Sequence, residues 1–205
     1  MRTYKTFIYD KKPLWKDVAT APIDIFQWEG ETKYRPHSCA KMCFVKNEGI
    51  YILLESEETQ IKAVYTETDE PVYKDSCLEV FLLLGEEGYI NIETNANGAY
   101  LSALGRDRYT RTPIKKLTDK IPVVTPFKSD KSWGNEIFVS NELISQLFPS
   151  FGTVHAGEFR GNFYKCGDET HTPHYGSFSP MDDIKLGFHN PDFFANIIVE
   201  EVKYE

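Results

Sequence analysis

Three of the five histidines in this chain fall within one stretch, residues 167–191, together with Asp168, Glu169, Tyr175, Phe178, Asp182 and Asp183. Aromatic rings beside planar polar groups are what a sugar site needs. A ring face stacks on the apolar face of a pyranose, and carboxylate, imidazole or guanidinium groups pair with its hydroxyls. Tyr175 and Phe178 are the rings of this stretch, and either could instead plug the end of a β-sheet core. A second stretch, 64–74, carries Tyr65, Asp69, Glu70 and Tyr73. Tyr73 shortly precedes an apolar run that begins at Leu78, so it is expected at a sheet rim, as a sugar platform or as an ordinary surface tyrosine.

Other chemistries find less support. His171 and His174 stand three apart, as some metal pairs do, but Pro173 between them prevents a helix and no further Cys or His at matching spacing completes a zinc set. Cys39, Cys43, Cys77 and Cys166 have no metal-ligand spacing and read as free thiols of a reducing compartment. A glycoside hydrolase needs two carboxylates facing one cleft. Glu79 and Glu93 lie near the centres of two expected strands, and they could equally be internal partners of Arg106, Arg108, Arg111 or Arg160. No nucleophile-elbow pattern and no glycine-rich phosphate loop occurs. A haem-type site would have only Met42 and Met181 as internal methionine ligands.

The elements that must position these residues are short strands. β-branched and aromatic runs bounded by turn residues predict strands over 5–9, 40–45, 50–55, 78–84, 89–94, 99–104, 122–127, 136–139, 159–165 and 194–202. Residues 46–49 form the turn of a hairpin, and 78–104 reads as a three-stranded meander. One short helix is expected near 141–148, with Asn141 as its N-cap and Pro149 as its stop. Helices do not alternate with strands, which excludes a parallel α/β sheet and leaves an all-β, antiparallel two-sheet sandwich as a single domain over 1–205. The long irregular stretches, 59–74 and 167–191, are where binding loops are expected.

A net charge of −8 without any Lys/Arg run argues against nucleic acid and against anionic membranes as partners. No stretch approaches the length of a membrane-spanning helix. Met1 is not followed by an apolar signal region, which favours a cytoplasmic setting as an expectation. With 41% hydrophobic residues the chain can bury a sizeable core.

Five segments, in order, resemble motifs of family 9 carbohydrate-binding modules, within the wider DOMON-like β-sandwiches (jelly-roll type). They are residues 70–82 (EPVYKDSCLEVFL), 89–98 (YINIETNANG), 157–165 (GEFRGNFYK), 174–180 (HYGSFSP) and 188–194 (FHNPDFF). The resemblance implies a sandwich that binds a mono- or oligosaccharide at one rim without changing it, with two aromatics enclosing a terminal sugar. Tyr73 and Phe178 occupy positions where sugar-binding members carry Trp, and each smaller ring offers less stacking surface. His174, Tyr175 and Arg106 are the further ligand-binding candidates. No cofactor is required. Members can carry structural calcium, although no compact acidic loop marks such a site in this sequence. The alternative expectation is an interaction or structural domain of the same fold that has lost sugar binding.

Overall fold

The computed structural model describes residues 1–28, 33–182 and 187–202. Asp183, part of the 167–191 stretch, lies outside the described residues. Within them the chain forms β1 (Thr3–Tyr9), β2 (Ala21–Ile23), β3 (His37–Val45), β4 (Gly49–Glu57), β5 (Cys77–Gly85), β6 (Gly88–Asn95), β7 (Tyr100–Gly105), β8 (Arg111–Pro113), β9 (Val123–Lys128), β10 (Trp133–Ser140), α1 (Asn141–Leu147), β11 (Gly157–Cys166), β12 (Tyr175–Ser177) and β13 (Ala195–Glu201). None of the helices is long and apolar enough to cross a membrane.

The strands run in the order β8-β7-β6-β5-β11-β13-β1-β3-β4-β10-β9, with β2 added to β3 and β12 to β11. The hydrogen-bonded path is therefore continuous, and it curls so that its two halves face each other. Ile50, Ile52 and Leu54 of β4 and Ile137 and Val139 of β10 pack in one core with Leu78, Val80 and Leu82 of β5 and Ile90 and Ile92 of β6. These positions alternate along each strand because successive side chains point to opposite faces. The halves are also tied by polar bonds: Asn135 Nδ2 donates to Thr94 Oγ1 at 3.1 Å and to the Asn95 carbonyl at 3.0 Å.

This is the expected all-β sandwich, with one correction. The sheets are not wholly antiparallel, because β1 pairs in parallel with both β13 and β3 and forms the seam between the halves. The β3–β4 hairpin turns as expected. Gly49 has φ +151°, where a Cβ would stand 2.1 Å from the Val139 carbonyl oxygen, so glycine is required by both backbone and neighbour. The helix also lies where it was expected, but Ser140 caps it, its Oγ accepting from Leu143 N at 3.1 Å, while Asn141 Oδ1 accepts from Val154 N at 3.1 Å.

The β7-β6-β5-β11 half is covered on both faces, and β6 is buried at every position. Its inner face belongs to the sandwich core. On its outer face Phe81, Tyr89, Tyr164 and Phe194 form a second cluster, and Val72, Cys77, Ala99 and Cys166 a third. Among the described residues, Tyr65, Tyr73, Tyr175 and Phe188 of the two long irregular stretches, together with Trp28 after β2, pack over this outer face.

Candidate binding cavity

The register places Tyr164, Glu79, Glu93 and Leu101 directly opposite one another across β11, β5, β6 and β7. All four therefore project from the same outer face. Above this row lies a cavity of about 550 Å³ whose floor includes Glu79, Glu93, Leu101 and Cys166. Tyr73 lines it from a 3₁₀ turn, Val72–Lys74. Trp28, Tyr175 and Phe188 form a continuous aromatic wall: Trp28 stacks on Phe188 with centroids 5.4 Å apart and meets Tyr175 edge-on at 6.3 Å. Arg108, Tyr109 and Asp168 complete the lining with Arg111 and His189, and Tyr109 is 77% exposed.

The floor carries two buried carboxyl groups, Glu79 and Glu93. Glu93 Oε1 accepts from Asn91 Nδ2 at 2.9 Å and from Arg111 Nη1 at 3.5 Å. Glu79 Oε1 accepts from the Cys166 thiol at 2.9 Å. Burial pushes the Glu93 carboxyl up to about 7, against the pull of Arg111. The Glu79 carboxyl is pushed well above its ordinary range by burial and then by Glu93. His189 Nδ1 shares a 2.9 Å hydrogen bond with the Tyr89 hydroxyl, and burial with the neighbouring Arg111 and Arg108 charges holds the imidazole down at about 3. At neutral pH the cavity thus offers neutral histidine, guanidinium donors and carboxyl groups of mixed protonation, a set suited to hydroxyls.

Several residues of the sequence motifs build the loops instead of touching the cavity. Asp75 is fully buried, and its Oδ2 accepts from Val64 N at 2.8 Å, Tyr65 N at 3.0 Å and Asn95 Nδ2 at 2.9 Å. Those bonds pin the segment that leads into the Tyr73 turn. Asp168 N donates to the Tyr73 carbonyl at 3.1 Å and Glu169 N to the Lys74 carbonyl at 3.2 Å, joining that turn to the other loop. Asn162 receives Ser179 N at 2.9 Å, and Arg160 Nη2 donates to the Asp192 carbonyl at 2.8 Å.

Of the five residues singled out from the sequence, the structure brings Tyr73 and Tyr175 together in this cavity. It separates the other three. Phe178 is 4% exposed and packs edge-on against Phe163 and Tyr4, with centroids 6.0 and 6.3 Å away, so its ring is a core plug. Three residues along an extended chain reverse the face, which sends Tyr175 outward and Phe178 inward. His174, adjacent to Tyr175, likewise faces inward, with Nδ1 against the Thr172 carbonyl at 2.8 Å and Nε2 3.7 Å from Glu58. Arg106 is exposed just after β7 and reaches the β5–β6 turn, donating to the Glu86 carbonyl at 3.3 Å. The cavity also lies over a sheet face, where a rim was expected. Sequence reasoning did not single out Trp28, Tyr109 and Phe188. Phe188 lay within a recognised motif, but nothing local ties Trp28 to residues 160 positions away. Arg111 was named only among four arginines able to pair with Glu79 and Glu93, and Glu93 is its partner.

The model of carbohydrate-binding family 9 matches residues 11–199. A candidate carbohydrate-binding protein from Bacteroides uniformis superposes with a TM-score of 0.78 at 23% identity, covering 97% of this chain and 98% of that one. A family 9 carbohydrate-binding module from Caldicellulosiruptor kristjanssonii in complex with cellotriose gives 0.69 at 10% identity, over 98% of this chain and 95% of that one. The glucose complex of such a module from the same organism gives 0.68 at 11% identity, over 98% of both chains. These likenesses show the shared fold. No curated protein matches the sequence significantly.

Proposed function

Because the chain belongs to carbohydrate-binding family 9, we propose that the outer-face cavity binds a mono- or oligosaccharide and releases it unchanged. Tyr73, with the Trp28–Tyr175–Phe188 wall, stacks on the apolar faces of a pyranose, and Glu93, Arg111, Arg108 and Asp168 take its hydroxyls. The observation that carries this reading is the combination in one cavity of about 550 Å³ of several aromatic rings with a buried carboxyl paired to a part-buried guanidinium. Trp28 supplies the indole that positions 73 and 178 lack. Binding without hydrolysis is supported by membership of a carbohydrate-binding family.

Calorimetry with glucose, cellobiose and cellotriose, with and without calcium, tests the proposal. Covering one ring face with a pyranose removes on the order of 50 Å² from water, about 1.3 kcal/mol at 25 cal/mol per Å², so Tyr73→Ala and Trp28→Ala are each expected to weaken binding about tenfold. Phe178→Leu, a core substitution, leaves affinity unchanged in folded protein. Unaltered affinity in both cavity variants overturns the assignment. Release of shorter sugars from cellotriose overturns the non-catalytic reading.

A further inference from the structure

Cys77 and Cys166 are directly opposite one another on β5 and β11, and Glu79 lies two residues along β5 on the same face. One donor atom from each, two sulfurs and a carboxylate oxygen, lies within 4.8 Å of the other two. The three side chains come together beneath the cavity, and Glu79 and Cys166 line it.

From this geometry we infer that the cavity floor is a site for one thiophilic divalent cation of the Zn²⁺/Cd²⁺ class, held by Cys77, Glu79 and Cys166 with a fourth position open to the cavity. Tetrahedral zinc with sulfur at about 2.3 Å and oxygen at about 2.0–2.2 Å sets neighbouring donors roughly 3.5–3.8 Å apart. The observed separations from Glu79 Oε1, 2.9 Å to Cys166 Sγ and 4.0 Å to Cys77 Sγ, bracket that spacing. Two sulfurs with one carboxylate select such a cation over calcium or magnesium, which take oxygen sets. Cys77 is 0%, Cys166 2% and Glu79 3% exposed, so the metal would be shielded on the sheet side and reached from the cavity. Sulfur binds such a cation as thiolate, so loading the site displaces the thiol protons. Two thiolates and a carboxylate leave one net negative charge around a divalent ion, and Arg111, bonded to the adjacent Glu93, is placed to offset it. A three-ligand site with an open position leaves the metal accessible to a group in the cavity, unlike a closed four-ligand structural site.

The test is an anaerobic Cd²⁺ titration of the full chain in a non-thiol reductant, following the thiolate-to-metal charge-transfer band and proton release. One equivalent per chain is expected, displaced by Zn²⁺, with two or more protons released. Cys39→Ser/Cys43→Ser leaves the band intact, while Cys166→Ser or Cys77→Ser abolishes it. Glu79→Gln, which keeps the side-chain volume, weakens binding at least tenfold while the band persists. Circular dichroism confirms that each variant is folded. Absence of the band with all four thiols reduced overturns the inference, as does a band that survives in folded Cys166→Ser. Glucose calorimetry on metal-free protein reports on the sugar reading separately, so either result can fail alone.

Discussion

Glu58 is a buried carboxylate with several partners inside the sandwich. Its Oε1 accepts from Ser76 Oγ at 2.9 Å, and its Oε2 accepts from Trp133 Nε1 at 3.1 Å and lies 3.2 Å from Lys165 Nζ. The Lys165 side chain is fully buried, with the Cys166 carbonyl at 2.9 Å as its other acceptor. His174 cannot share the load at neutral pH, because burial and the Lys165 charge hold it down at about 4. Glu58→Gln keeps the shape and one acceptor oxygen, enough for either Ser76 or Trp133 but not both, and strands the ammonium. At the observed 3.2 Å an effective dielectric of 20 gives about 5 kcal/mol of attraction. Breaking a buried pair from one side costs about 3–5 kcal/mol. In a chain of this size each kcal/mol lowers the Tm by about 2–4 °C, so the variant is expected to melt roughly 6–20 °C lower. Urea denaturation followed by tryptophan fluorescence gives the free energy directly. The double variant Glu58→Gln/Lys165→Met removes the stranded charge as well and recovers at least half of the loss. A loss below about 1 kcal/mol in Glu58→Gln, or a double variant worse than either single, refutes the role assigned to this pair.

Two further outcomes follow from the same geometry. Asp75→Ala leaves the Val64 and Tyr65 amides without their buried acceptor, while Asn95 Nδ2 keeps the Tyr65 carbonyl at 2.9 Å; at about 1.5–3 kcal/mol for each bond to a charged group, denaturation is expected to show a loss of about 3–6 kcal/mol and calorimetry a weaker sugar affinity as the Tyr73 turn loosens, and a loss under about 1 kcal/mol contradicts this. The pH dependence has opposing parts. His174 and His189, held at about 4 and about 3 against an ordinary 6.5, take up protons first in the unfolded chain, so their contribution is complete above pH 6.5 and is lost as pH falls from there toward 4 and 3. Glu93, raised from 4.5 to about 7, keeps in the fold a proton that the unfolded chain releases, so stability is lost as pH rises from 4.5 to 7. The Glu79 carboxyl, raised in the same direction, adds to that slope; Glu93→Gln removes the Glu93 share and leaves the histidine part, so denaturation across pH 4.5–7 should show the variant gaining on the parent as pH rises, and a constant difference rules the assignment out.

The longer strands were legible because their apolar alternation and flanking turns are local signals. The strands that were missed, β2, β8 and β12, have three residues each. Two of them contain proline, which reads as a break, and none is long enough for a period. The parallel insertion of β1 was illegible for a different reason: a strand's partner is a long-range property that its own pattern does not record. At the site, Tyr73 and Tyr175 were accessible from loop composition and motif. Phe178 was misread because its motif marks a conserved neighbourhood without saying which face the ring takes, and only the pairing of β12 with β11 settles that. Trp28 reaches the cavity through tertiary packing alone.

The seam strand also bears on how the molecule assembles. Thr3 pairs with Asn196 and Ile8 with both Phe44 and Glu201, so the first strand joins partners from near both ends of the sequence. Contacts of such wide separation make folding slow, because the chain must close its largest loop before it is rewarded. During synthesis the β3–β4 hairpin and the β5-β6-β7 meander can form as they emerge, but the hydrogen-bonding edge of β1 that faces β13 waits until that strand leaves the ribosome. Until then the molecule carries an open, apolar β-edge, the kind of surface that recruits chaperones or a second nascent chain.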